Sequence, residues 1–319
     1  MKLRRVTDGG AVRVEMDAPQ GWVPVAEVAA RVAGLDRQCT DDVLSLLALP
    51  QDLLERLVEA SCNIEPSPAP GRAILPFTPL SFRDFMLYEA HAIAAARGFV
   101  RRYMPAAAQI AKAYESLTRG TFPPLRPHKL WNEQPIYYMG NHLTIAADGD
   151  TIETPAYSDA LDYELELGFV LAHPLLDAEP ADAERAIGGF VVLNDFSARD
   201  VQLAEMRSGF GPQKAKHFRS AISAVVVSAD EILRRWDRLS GRVRINGANV
   251  AECSTAGACF SLGEVLAHAS RCEQLHPGEL FGTGTLPGGS GIENGLLLIP
   301  GDQVELQIDG IGAVSNRII

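Results

Sequence analysis

The segment Leu161-Asp162-Tyr163-Glu164-Leu165-Glu166-Leu167 sets two glutamates two residues apart within an otherwise apolar stretch. In a strand, alternate side chains share a face, so Glu164 and Glu166 point one way and Tyr163, Leu165 and Leu167 the other. Further on, Gly189-Phe190-Val191-Val192-Leu193-Asn194-Asp195 reads as a buried strand that ends in a third carboxylate. Three such groups brought together at ~4 Å would repel by about 4 kcal/mol per pair at an intermediate dielectric. A divalent cation with oxygen ligands is the simplest compensation. A glutamate pair alone also fits a solvated outer face. The apolar flanks Ala160-Leu161 and Leu167-Gly168-Phe169-Val170-Leu171 argue against an edge strand here.

Other segments carry weaker signals. Residues 194–202 gather polar side chains at the end of an apolar strand, where a scaffold presents function. The run 282–291 is rich in glycine but lacks the Gly-Lys-Ser/Thr ending of a phosphate loop. It reads as a plain turn, or as a loop that lets backbone approach a ligand, with Thr285 offering a hydroxyl. His91 lies in an alanine-rich helix and on local grounds alone is a packing residue. Arg199, followed by Asp200, is on local grounds a structural ion pair.

These residues need a scaffold. The 319 residues suffice for one large domain and a small one, and 47% hydrophobic with 22% charged residues is an ordinary globular balance. The net charge of -11 argues against nucleic acid and anionic membranes as partners. No apolar run is long enough to span a membrane, and the N-terminus does not resemble a signal peptide. Five cysteines without CxxC spacing read as reduced thiols of a cytoplasmic protein.

Val12 to Met16 alternates like a strand, and 25–32, 41–49 and 51–60 have helical spacing, with Pro50 between the last two. The Pro-rich run 66–71 reads as a linker, which divides the chain into a small N-terminal domain, 1–72, and a larger one, 73–319. Ser81 to Tyr103 reads as one helix with Ser81 as its N-cap. Beyond Pro135, strands dominate: Asn246-Gly247 marks a hairpin, 260–270 a short amphipathic helix, and 303–308 and 313–319 two closing strands. The fold class is a β-rich α+β chain without βαβ alternation.

Taken together, four motifs in order resemble the fumarylacetoacetate hydrolase family over about residues 75–319. They are Arg83-Asp84-Phe85 with His91; Asp162-Tyr163-Glu164-Leu165-Glu166; Asn194-Asp195-Phe196-Ser197-Ala198-Arg199-Asp200-Val201-Gln202 followed by Lys216-His217-Phe218; and Gly282-Thr283-Gly284-Thr285. The closing Pro300-Gly301-Asp302 and 312–317 are similar to the family's ending. The resemblance implies a mixed β-sandwich roll behind a small N-terminal domain, assembled as a homodimer. It implies a metal site of Asp84, Glu164, Glu166 and Asp195, filled by Mg²⁺ or alternatively Ca²⁺ or Mn²⁺.

His91 matches the family's general base, with Glu293 as its orienting partner. Lys216, or Lys214 if the alignment slips by two, falls with Arg199 and Gln202 around the reacting carbonyl. Tyr138, or its neighbour Tyr137, matches a substrate-contacting tyrosine. The implied activity is metal-dependent hydrolysis of a C–C bond in a 1,3-dicarbonyl of the β-diketone or acylpyruvate type, through a metal-bound enolate. Decarboxylases of β-keto acids, hydratases and tautomerases or isomerases share that site in relatives, and a non-catalytic binder on the fold is a further alternative. Two departures stand out: Met86 replaces a tyrosine, and no arginine falls on the position that binds a distal carboxylate, although Arg97 and Arg101 bracket it. Both point to a less acidic substrate.

Overall fold

Glu164–Leu171 and Ile187–Asn194 contain no exposed residue, as expected of strands covered on both faces, and they pair antiparallel through Leu167↔Val192 and Phe169↔Phe190. The computed structural model that shows this describes residues 1–35, 37–67 and 71–319. On one side the sheet continues through Leu280–Ser290 and Phe82–Phe85 to Tyr137–Gly140. On the other it runs through Val225–Ser228, Lys2–Asp8 and Ala11–Ala18 to Gly21–Pro24. The sheet is mixed, because Phe82–Phe85 runs parallel to Leu280–Ser290 while its other partner is antiparallel. A second sheet orders Ala248–Ser254, Ser240–Ile245, Gln303–Ile308, Gly312–Ile318 and Thr151–Ile152. The architecture is a mixed sandwich, and among the described residues no barrel closes.

Strand alternation divides the core in two. Tyr163, Leu165, Leu167 and Phe169 face the second sheet, where they share a cluster with Val243, Leu306 and Val314. Val170, on the face of Glu164 and Glu166, joins Val191 and Leu193 in packing against N-terminal residues such as Leu3, Val28 and Leu46. Residues 1–35 and 37–67 thus extend the central sheet and cover one face of it. Their helices, Val25–Ala29, Val43–Leu47 and Gln51–Ser61, are partly shorter than the apolar spacing suggests. Of the Pro-rich run, residues 68–70 lie outside the described residues.

Two expectations are corrected. Ser81 to Tyr103 is not one helix: Phe82–Phe85 is a strand, and the helix is Glu89–Tyr103. A four-residue strand is too short to show a period, and Phe82 and Phe85 are apolar at either reading. The 282–291 run is not a loop but lies mostly in the strand Leu280–Ser290, between the Glu164 and Phe82 strands. Its glycines make room for neighbours, as the site shows. The hairpin at Asn246-Gly247 has φ of 54° and 80° at its two turn residues, as a type I′ turn requires. Ser261 and Glu264 form a capping box for the helix Leu262–Ala269. Among the described residues no helix is long and apolar enough to cross a membrane.

Candidate active site

Three strands of the central sheet each deliver one carboxylate to the same point. Asp84 comes from Phe82–Phe85, Glu166 from Glu164–Leu171, and Asp195 follows Ile187–Asn194; one oxygen of each lies within 4.8 Å of the others, and all three residues are buried. Gly282, between the first two, explains how this fits. A Cβ there would sit 2.4 Å from Asp84 Oδ1 and 2.7 Å from Glu166 Oε2. Gly284, at φ +83°, likewise lets backbone close on Phe85, where a Cβ would be 2.4 Å from the carbonyl oxygen.

Burial, followed by the nearby Asp195, pushes the Asp84 carboxyl well above its ordinary range, and burial with Asp84 does the same to Glu166. Asp84 Oδ1 and Glu166 Oε2 have no hydrogen-bond partner although both are buried. Orphaned acceptors of this kind in an all-oxygen cluster fit a hard divalent cation of the Mg²⁺, Ca²⁺ or Mn²⁺ class. Around them Tyr138 Oη donates to Asp195 Oδ2 at 2.6 Å, Ser220 Oγ to Asp195 Oδ1 at 2.9 Å, and Thr285 Oγ1 to Glu166 Oε1 at 3.4 Å.

Glu164 faces the same cavity with different neighbours. Arg199 Nη2 donates to its Oε1 at 2.7 Å, and the Lys216 ammonium bridges it to Asp195. Burial would raise the Glu164 carboxyl, but Lys216 and Arg199 outweigh burial and hold it below its ordinary value. Lys216 is in turn raised: burial opposes its charge, and Asp195 and Glu164 more than offset that. Arg199 also donates from Nε to Asp162 Oδ2 at 2.7 Å and from Nη1 to Gln202 Oε1 at 2.8 Å. Lys214 points elsewhere, its ammonium 5.6 Å from the Tyr157 ring centroid. Tyr137 packs on Phe85, with ring centroids 4.8 Å apart, and its hydroxyl makes no contact with the three carboxylates comparable to that of Tyr138.

His91 projects from the first turn of Glu89–Tyr103, and its Nδ1 lies 3.0 Å from Glu293 Oε2. Glu293 is held by Ser290 Oγ at 2.7 Å and the Gly288 amide at 3.1 Å. The approach of this helix to the turn depends on Gly98, since a Cβ there would lie 2.1 Å from the Ile292 carbonyl oxygen. The imidazole therefore keeps Nε2 for the cavity, of which His91 is a lining residue.

Two residues given no role from sequence stand behind these groups. Asp162, fully buried, accepts from Arg199 and also from the Gly291 and Ile292 amides at 2.7 and 2.8 Å, so it ties the guanidinium to the turn that carries Glu293. Strand alternation was the available signal, since it puts Asp162 in line with Glu164 and Glu166. Glu205, on the helix Arg199–Ser208, accepts from the successive amides of Gln213, Lys214 and Ala215, at 2.7, 2.9 and 3.2 Å, and so anchors the segment leading into Lys216. No local pattern announces that clamp.

The floor opens into a cavity of about 510 Å³. Asp84, His91, Glu164, Glu166, Arg199 and Lys216 line its base, joined by Gln202, Tyr138 and Thr285. Its walls are mostly apolar. Arg97 and Arg101 are turned away: the first pairs with Glu115, and the second donates to the Ile292 and Glu293 carbonyl oxygens.

Known proteins place this arrangement in context. The chain is 30% identical over 188 residues to an oxaloacetate tautomerase of Xenopus laevis, a match covering 59% of each protein. It is 27% identical over 187 residues to the 4-hydroxyphenylacetate degradation bifunctional isomerase/decarboxylase of Escherichia coli, over 59% of this chain and 42% of that protein. The matches thus span well under two thirds of these relatives' own length. The solved fumarylacetoacetate hydrolase from Exiguobacterium antarcticum superposes over 100% of this chain and 99% of its own with a TM-score of 0.71 at 21% identity. Maleylpyruvate hydrolase from Sphingobium does so over the same shares at 0.68 and 15%. Those two likenesses are of fold. Residues 108–319 match the family described as fumarylacetoacetate (FAA) hydrolase C-terminal, leaving Asp84 and His91 just upstream of the match. The chain belongs to the fumarylacetoacetate hydrolase C-terminal family.

Proposed function

We propose that this protein is a metal-dependent hydrolase that cleaves a C–C bond in a 1,3-dicarbonyl of the acylpyruvate or β-diketone type. The observation that carries the reading is the His91–Glu293 pair at 3.0 Å, on the same cavity as three clustered carboxylates. Asp84, Glu166 and Asp195 would hold the cation, with Glu164 beside them; bound there, Mg²⁺ would polarise the substrate's oxygens as a Lewis acid.

The chain's own groups do the remaining work. Glu293 fixes the imidazole tautomer and orientation, as a base requires. His91 Nε2 takes a proton from water, and the hydroxide adds to the acyl carbonyl carbon. Lys216 and Arg199 present positive charge to the oxyanion that forms. The C–C bond then breaks with its electron pair on the departing carbon, which regains the proton from His91. The products are a carboxylic acid and a ketone, one water having been added. Tyr138 and Thr285 orient the carboxylates, through Asp195 and Glu166, at the edge of the substrate volume.

The same floor supports a second reading, favoured by the names of the relatives: an isomerase/decarboxylase and an oxaloacetate tautomerase. In that case His91 shuttles a proton on carbon or oxygen and no water is added. Incubating the protein and Mg²⁺ with acylpyruvates, β-diketones and oxaloacetate, with products read by mass, separates the readings. Mass gained as water supports hydrolysis; loss of carbon dioxide or a change without mass difference supports the second reading and removes the first. The reading implies a soluble cytoplasmic homodimer that acts on small keto acids without nucleic acid or membrane partners. Sedimentation of the purified protein tests the dimer.

A further inference from the structure

One wall of the cavity is a single helix face. Ala92, Ala95, Ala96, Phe99 and Val100 recur at the helical period along Glu89–Tyr103 and all line the cavity. His91 lies in the same helix one turn before Ala95, so the wall begins at the base and extends along the helix for about 12 Å at 1.5 Å per residue. The lining also includes the apolar Leu125, Ile136 and Leu203. The volume of about 510 Å³ falls within the roughly 300–1,000 Å³ of pockets that enclose drug-sized ligands.

Among the described residues, no buried cation that lines this volume is free to bind a second carboxylate. Of the cations that line it, Arg199 and Lys216 are buried and engaged by Asp162, Glu164 and Asp195. The other two among the described lining residues, Arg126 and Arg207, are exposed at the rim. Met86, another lining residue, adds a thioether rather than a hydroxyl.

We propose that this wall is an acyl-tail site, so that the substrate is a keto acid whose acyl side carries an apolar alkyl or aryl group and not a second carboxylate. The proposal rests on the dicarbonyl reading of the base and names its substrate class. A keto-acid head at the carboxylate cluster places its far end beside Ala95 and Phe99, where each buried methylene adds hydrophobic binding.

Calorimetric titration of the Mg²⁺-loaded protein with 2-oxobutanoate, 2-oxohexanoate, 2-oxooctanoate and 2-oxooctanedioate tests this without turnover. Affinity should rise by about fourfold per methylene along the first three, with a heat-capacity change that becomes more negative. The dioate should bind at least tenfold more weakly than 2-oxooctanoate. Ala96→Asp and Phe99→Ser, both at partly exposed positions, should each shrink the ratio of octanoate to butanoate affinity at least fivefold. Affinity that is flat along the series, or tighter for the dioate, overturns the proposal, and the latter assigns the rim arginines to a distal carboxylate. A tail preference in protein that cleaves no 2,4-dioxo acid would sink only the hydrolase reading. Cleavage combined with flat binding would sink only the tail site.

Discussion

The cavity floor has two halves built on the same strand, and their electrostatics differ: one is charge-balanced and the other is anionic. Glu166 sits with Asp84 and Asp195 among like charges, of which Asp195 alone meets a cation, Lys216, and two of the cluster's oxygens lack any partner. Glu164, two residues earlier, is gripped by a guanidinium and an ammonium. Five buried carboxylates (Asp84, Asp162, Glu164, Glu166 and Asp195) thus meet two buried cations, Arg199 and Lys216. The deficit is concentrated in the half built around Gly282. The comparison teaches where a cation belongs: one half already has its positive charge covalently attached, and the other is shaped to receive it.

The comparison can be attacked from the cationic half first, where the largest effect is expected. Arg199→Met leaves Asp162 and Glu164 without their shared guanidinium, and breaking a buried pair from one side costs about 3–5 kcal/mol. Urea unfolding should show that loss; a loss below 1 kcal/mol would mean that the two halves are not electrically distinct.

Next comes the dyad at the boundary. Glu293→Gln retains the contacts of its side-chain oxygen but removes the charge behind His91, and kcat should fall about 100-fold. Mg²⁺-dependent stabilisation should persist, and its loss would place Glu293 in the anionic half.

The anionic half gives a somewhat smaller but more diagnostic effect. Wild-type protein should gain about 2.7 kcal/mol from Mg²⁺ at 100 times its Kd, whereas Glu166→Ala should gain almost nothing, as read by melting in Mg²⁺ and in EDTA. The pH sign follows from the raised carboxyls. The folded-state values of Asp84 and Glu166 lie above their ordinary 3.8 and 4.5, so the stability they contribute is fully present below those values. It is lost as pH rises through the folded values. In EDTA, wild type should therefore lose more melting temperature than Glu166→Gln between acid and neutral pH. Equal slopes would show that the carboxylates do not repel.

The smallest effect returns to the cationic half. Glu205→Ala frees three backbone amides on the approach to Lys216 and should cost about 1–2 kcal/mol, with hydrogen exchange accelerating at 213–215. Unchanged exchange there would deny the clamp.

What could be read in advance followed the range of the interactions. Glu164 and Glu166 were legible because a two-residue period is local. Asp195 was legible as the end of an apolar strand. Asp84 and His91 were placed by resemblance, on a stretch read as one helix, because four residues of strand cannot establish a period. The structure separates them onto a strand and a helix and brings His91 to Glu293 across 202 positions of chain. The strand character of 282–291 was hidden by its glycines, which are poor strand formers and are needed here for the volume they lack. Glu205 was invisible, since its partners are backbone amides and any sequence supplies those.

That last contact links the two cations mechanically. The ten-residue helix Arg199–Ser208 begins with the guanidinium that grips Glu164 and, through Glu205, moors the stretch that delivers Lys216. Each charge has a second foothold as well, Arg199 on Asp162 and the Lys216 stretch through His217 on Asn141 and Thr144. Tilting the helix would strain both neutralising groups at once, so the two charges on the floor are coupled through a single element.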